Sequence, residues 1–285
     1  MIVFKAMNLL AVYQLPFKTV FLIFIMFSVV GWISEVLYVG IFHERKFVNR
    51  GFLHGPLCPV YGFGGLVILL LPPFLYKTWI PLYFASMILC TAVEYFVSWL
   101  MEKLFHTRWW DYSHYKVNIN GRICLLNSVL FGFMGLGVIR FVYPQMLKFL
   151  NWLGDFWIMI CSDSLAVFLT IDILITIRKL VDFSATMEKL KVFCDSLSDY
   201  YGNEAWFRKE NLNEMFASVK EKAATSKNYI SKSVLEKIDR LQNARHAAAE
   251  SFMAHFPTMK SVRYSAELEQ LKKALKERLK SKSKK

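Results

Sequence analysis

The sequence predicts an all-α, polytopic membrane bundle of about five transmembrane helices, followed by a basic helical tail. Three observations point there. Hydrophobic residues make up 55% and aromatic residues 16% of the 285, and they lie in long unbroken blocks, the signature of a chain solvated by lipid. Five blocks approach the roughly 20 apolar residues that a helix needs to cross a bilayer core. The net charge of +13 is uneven, and roughly half of the excess lies after Val181, as expected of a chain with a cytoplasmic tail.

Taken in order, the expected spans are residues 19–42, 59–76, 79–101, 123–142 and 157–180. The second carries Gly62, Gly64 and Gly65 near its start, small residues that let helices approach closely, and Pro72 and Pro73 near its end. Residues 144–155 read as an amphipathic, interfacial segment. Residues 1–180 form the expected transmembrane domain and 181–285 the tail. The first apolar block is too long for a secretory signal, and no small-x-small cleavage site follows it.

Orientation follows from Lys and Arg in the short loops. One set of loops holds Arg45, Lys46, Arg50, Lys103, Arg108, Lys116 and Arg122 and leads to the basic tail; the other holds Lys5, Lys18, Lys77, Arg140 and Lys148. The first set is richer, so it is assigned to the cytoplasm. The expected topology is a multi-pass protein of the plasma membrane with its N-terminus outside and its C-terminus in the cytoplasm.

In the tail, Ile230, Val234, Ile238 and Leu241 recur at helical spacing, as do Leu268, Leu271, Leu275 and Leu279, with Phe256-Pro257 between the two stripes. Such stripes serve helix packing within the tail or the docking of a partner. The basic charge comes with no nucleic-acid-binding motif, so lipid and the cytoplasmic bias account for it and no nucleic-acid partner is expected. The five cysteines, Cys58, Cys90, Cys124, Cys161 and Cys194, show no CxxC spacing. That argues against a disulfide framework and a zinc site, and no cofactor is expected.

Ionisable groups inside a bilayer are costly and need a reason. Glu35, Glu94 and Asp172 each lie about seven or eight residues from the cytoplasmic end of an expected span, hence roughly 10 Å deep at about 1.5 Å per residue. Three segments thus put acid at one level. Asp163 lies nearer the outer face. Beneath the acids lie two unusual loops. The first runs from Asn49 and Arg50 through His54, Gly55, Pro56, Cys58 and Tyr61, and its Gly and Pro content suits a tight, re-entrant turn. The second holds Trp109, Trp110, Asp111 and Tyr112, then the Asn118-Ile119-Asn120-Gly121-Arg122 turn. Its aromatics fit an interfacial belt.

The candidate substrate-binding set is therefore Glu35, Arg50, His54, Tyr61, Glu94, Trp110, Asp111, Tyr112, Asn118, Arg122 and Asp172. A packing role competes with it, in which Glu35 and Glu94 pair with Arg50 and Arg122 and fix a unique helix arrangement. His54 could act as a general base. His54 and Cys58 alone are too few to hold a metal.

The string GWISEVLY followed by NRGFLHGPLCPVYGFGG, and the string WWDYSHYKVNINGRICLLNSVLFGFMG, resemble the signatures of the bacterial family called putative ABC-transporter type IV, permease-like membrane proteins with a related animal transmembrane family. The segment HFPTMKSVRY is similar to that family's C-terminal extension. The resemblance covers most of the chain and implies a transport permease. It attaches no catalytic role to the matching positions. The chain has no G-x-x-x-x-G-K-[ST] loop, so a permease of this kind draws on a separate ATPase subunit, or works as a homo-oligomer. Two other functions compete: a membrane enzyme on a lipid or lipid-linked substrate, with His54 or Glu94 as base and Arg50 and Arg122 on a phosphate, and a structural or regulatory protein acting through its tail. No nucleophile–base pair is visible from spacing.

Overall fold

A computed structural model describes residues 12–39, 53–105, 107–108, 110–209, 212–226, 229–248 and 260–261. These residues are mostly helical. The helices are α1 (Phe17–Val39), α2 (Pro59–Leu69), α3 (Trp79–Phe105), α4 (Leu125–Gly137), α5 (Tyr143–Tyr201), α6 (Leu212–Thr225) and α7 (Lys232–Ala248). A π turn at Val138–Val142 joins α4 to α5. The described residues also hold four two-residue strands: β1 (Thr107–Arg108), β2 (Asn118–Ile119), β3 (Ile123–Cys124) and β4 (Lys260–Ser261). The chain divides into two compact units, Met1–Met101 with Trp110–Ile177, and Glu102–Trp109 with Arg178–Lys285.

Among the described residues, three helical stretches are long and apolar enough to cross a membrane: Phe17–Leu37, Trp79–Leu104 and the 77-residue run Leu125–Tyr201. The five expected blocks therefore map unevenly. The second, expected over 59–76, is helical only over the 11 residues of α2, about 16 Å at about 1.5 Å per residue. Pro72 and Pro73 explain the early stop, because a residue preceding proline is pushed out of the helical region. The buried Tyr76 hydroxyl then donates to the Leu69 carbonyl at 2.7 Å, satisfying one of the free acceptors at the helix end.

The fourth and fifth blocks belong to one continuous stretch. The helix does not end near 142 but runs on to 153. Pro144 lacks an N–H, and its ring crowds the carbonyl one turn earlier, at Arg140. The wider π turn lies over those residues and accommodates the ring. The break comes instead at Gly154, with φ 78° and ψ 160°, a conformation open essentially to glycine alone. In the segment 144–155, expected to be amphipathic, Met146, Leu147 and Leu150 are buried, while the apolar Phe149 and Trp152 are exposed.

Within the first unit, α1 and α2 run antiparallel in close contact. A Cβ at Gly62 would overlap the side chains of Ser28 and Phe24. α3 and α4 approach as closely, since a Cβ at Gly135 would overlap Ser86. Lipid gives helices no hydrophobic reason to associate, so such small-residue contacts carry the packing. Ile23, Ile68, Leu69, Leu82, Ile139 and Tyr143 form the centre of the core. Phe84, Ile88, Phe133, Phe168 and Leu174 are each more than half exposed, an outward apolar surface suited to lipid. At one end, Lys18 bonds Asp163 at 2.7 Å, and the Arg140 guanidinium lies 4.9 Å from the Trp79 ring centre.

The second unit has its own core of Leu190, Phe193, Leu197, Phe207, Phe216, Val219, Ile230 and Ile238. Lys220 ties α6 to α7, bonding Asp239 at 2.7 Å and Gln242 at 2.9 Å. β1 pairs antiparallel with β4, Thr107 opposite Ser261. The stripe Leu268 to Leu279 and Phe256-Pro257 lie outside the described residues.

Candidate functional site

The loop before α2 is built to fold back into the bundle. Leu53 is buried, and the Cys58 N–H donates to the Ser28 carbonyl at 3.0 Å, level with the middle of α1. Asp172 holds the loop's other end. Its two carboxylate oxygens accept the backbone N–H groups of His54 at 3.0 Å and Gly55 at 2.8 Å. The His54 Nδ1 lies 3.1 Å from the Thr176 hydroxyl and 3.5 Å from Asp172 Oδ1. Pro59, which needs no N–H partner, then opens α2 at its first turn.

Above this loop two carboxylates from separate helices each meet a tyrosine. The Tyr61 hydroxyl of α2 donates to Glu35 Oε1 of α1 at 2.6 Å. The Tyr112 hydroxyl donates to Glu94 Oε1 of α3 at 3.2 Å. Asn127 of α4 lies beside Glu94. The charge of Glu35 acts on both Glu94 and Tyr112, so the four side chains form one neighbourhood. Burial, reinforced by Glu94, pushes the Tyr112 phenol up, which keeps it a neutral donor. Glu94 is 9% exposed, and its second oxygen, Oε2, is buried without a hydrogen-bond partner. An unsatisfied carboxylate oxygen in an apolar span is costly.

The second loop is a framework that positions Tyr112. β2 and β3 form a hairpin, Asn118 opposite Cys124. Asn120 and Gly121 at its tip have φ of 54° and 68°, the left-handed values that Asn-Gly accepts at little cost. Asn118 accepts the Gly121 N–H at 2.9 Å and donates to the Tyr115 carbonyl at 2.7 Å. The Tyr112 N–H reaches the Gly121 carbonyl at 2.8 Å, and the Trp110 indole donates to the Arg122 carbonyl at 3.0 Å. Asp111 accepts from the backbone and hydroxyl of Ser113.

The expected candidates thus separate into groups. Glu35, Tyr61, Glu94 and Tyr112 come together. His54 and Asp172 form a second group around the loop before α2, so the three acids do not share one contact set. Trp110, Asp111 and Asn118 brace the second loop. Arg122 differs from the pairing considered for it: its Nη1 donates to the Tyr95 hydroxyl at 3.0 Å and its guanidinium lies over that ring, while Glu94 accepts from Tyr112. Arg50 and Trp109 lie outside the described residues. Asn127 was not anticipated; an amide inside an apolar helix was its only signal. Asp163 is paired with Lys18. Among the described residues, no group of three or more His, Cys, Asp or Glu is placed to hold a metal ion.

Residues 22–177, more than half of the chain and all the described parts of this site, match the model of the family described as putative ABC-transporter type IV. No curated protein and no solved structure matches the chain.

Proposed function

This chain belongs to the family described as putative ABC-transporter type IV, and on that premise we propose that it is the membrane-spanning component of a transporter, with a solute site at Glu35 and Glu94. The observation that carries the reading is Glu94, a buried carboxylate in an apolar span with one oxygen held by Tyr112 and the other without a partner. Transporters build their sites this way, from acids on several helices beside broken backbone. Tyr61 and Tyr112 orient the two acids. Trp110, Asp111, Asn118 and Arg122 hold the loop that carries Tyr112, while His54 and Asp172 shape the loop before α2.

In this reading the chain passes the plasma membrane five times. The passes are α1, α2 with the loop before it, α3, α4 with the run to residue 153, and the run after Gly154. The loops rich in Lys and Arg then face the cytoplasm, as does the C-terminal unit, and the N-terminus is outside. The family supports a separate ATPase subunit as the source of energy, since this sequence carries no G-x-x-x-x-G-K-[ST] loop of its own.

The test is complementation. In cells lacking the native gene, Glu35→Gln and Glu94→Gln are expected to reach the membrane at normal levels and fail to restore the wild-type phenotype. Full restoration by both variants would sink the reading.

The separate core of the second unit favours a second, compatible reading, in which the tail recruits a partner such as the ATPase. Removal of the tail would then abolish function while leaving the membrane unit in place.

A further inference from the structure

Independently of the transport reading, we infer that Cys194 is a redox-sensitive thiolate of the C-terminal unit, held ionised by Arg245 and oxidised by hydrogen peroxide. Two observations meet there. Cys194 lies on α5, partly buried against the core of its unit, so its sulfur is neither sealed off nor fully solvated. Arg245 of α7 is only 4% exposed. Its Nη1 donates to Asn213 Oδ1 of α6, a neutral acceptor, at 2.9 Å, and its Nε is buried with no hydrogen-bond partner. A buried guanidinium without a counter-charge is costly. Among the described residues no carboxylate pairs with it. Burial works against its positive charge, and Cys194 is the neighbour whose negative charge supports it.

The other charges around this stretch of α5 are of both signs. The Lys237 ammonium of α7 lies 4.9 Å from the ring centre of Phe193, the residue before Cys194. On α5 itself, Lys191 stands about one turn before Cys194, while Asp195 and Asp199 are exposed to solvent. The buried charge is the cationic one, and it is screened least. A partly exposed sulfur beside a cation is the setting in which a thiol becomes a nucleophile. The thiolate attacks one oxygen of hydrogen peroxide. An S–O bond forms, the O–O bond breaks, and its electron pair leaves with the far oxygen as hydroxide. The sulfur is oxidised by two electrons to the sulfenic acid, and the peroxide is reduced. Cys58, Cys90 and Cys124 are buried, and Cys161 lies in an apolar run, so these four serve as references within the same chain.

The test uses the purified full chain in detergent. It is labelled with iodoacetamide from pH 5 to pH 9, and each cysteine is read by peptide mass spectrometry. Half-maximal labelling of Cys194 is expected at least about one pH unit below the roughly 8.5 of an ordinary thiol. Arg245→Met should move that midpoint up toward the ordinary value, and Arg245→Lys, which keeps the charge, should leave it low. In a second measurement, hydrogen peroxide is added with dimedone, which traps sulfenic acids. The adduct is expected on Cys194 at peroxide concentrations that leave the other four cysteines unmodified. A smaller depression of the wild-type midpoint, a midpoint unmoved in folded Arg245→Met, or a dimedone adduct missing from Cys194 would overturn the inference. The wild-type profile and the dimedone adduct decide the matter if Arg245→Met does not fold.

Discussion

At the scale of single residues, the polar side chains of the membrane unit do two kinds of work. Asp172 spends both carboxylate oxygens on the backbone of His54 and Gly55, so its role is to hold a loop. Asp172→Ala should leave two N–H groups without acceptors, at a cost of about 1–3 kcal/mol each where they stay dry. The loop should loosen, and Cys58, buried in the native protein, should then react with a membrane-permeant maleimide faster than in the wild type; unchanged labelling would contradict the assignment. Glu94, by contrast, has spare capacity and no structural partner for it. Hydropathy and helical rise alone lead to the expectation that the acids lie at one depth. They do not tell which neighbour each one meets. Residues 94 and 95 are adjacent in the chain but turned about 100° apart on the helix, so whether Arg122 reaches Glu94 or Tyr95 depends on the hairpin that carries it. The Asn-Gly turn of that hairpin was readable from residue type, since few residues tolerate positive φ. Asn127 was not, because one amide among apolar neighbours has no pattern.

At the scale of elements, close approach sets the architecture. Ser86 and Gly135 meet where α3 and α4 are closest. Gly135→Ala should lower stability by about 1–3 kcal/mol through overpacking, and Ser86→Gly in the same chain should recover part of the loss, as measured by unfolding midpoint in detergent. Gly154→Ala should cost about 1–3 kcal/mol for a different reason, since its backbone lies in a region closed to residues with a Cβ; there nothing crowds the new methyl and no partner substitution should rescue it. The apolar blocks made these helices legible, yet their ends were not. The second block reads as 18 apolar residues to a hydropathy count, but its paired prolines cut the helix to 11. Pro144 reads as a stop, and a π turn absorbs it.

At the scale of the whole molecule, the membrane unit and the C-terminal unit are separate compact bodies. A short piece of chain just before the Trp-rich loop belongs to the second body: Thr107–Arg108 pairs with Lys260–Ser261 of the C-terminal segment HFPTMKSVRY. Sequence reading placed all the basic tail after Val181 and missed this strand exchange, because two-residue strands leave no periodic trace. If five passes are correct, a protease added to inverted membrane vesicles should cut the C-terminal unit and spare it in right-side-out cells; the reverse result would place that unit outside.

The short α2 carries an electrical consequence. Its 11 residues span about 16 Å against a hydrocarbon thickness of about 30 Å, and a loop bearing the exposed His54 lies beneath it. Where that loop admits water, the membrane potential drops across roughly half the usual distance, and the local field is about doubled. A charge moving through the full field exchanges about 2.3 kcal/mol per 100 mV. A charge crossing beside α2 would therefore do much of its electrical work in one short passage, and its distribution along that passage would follow the membrane voltage.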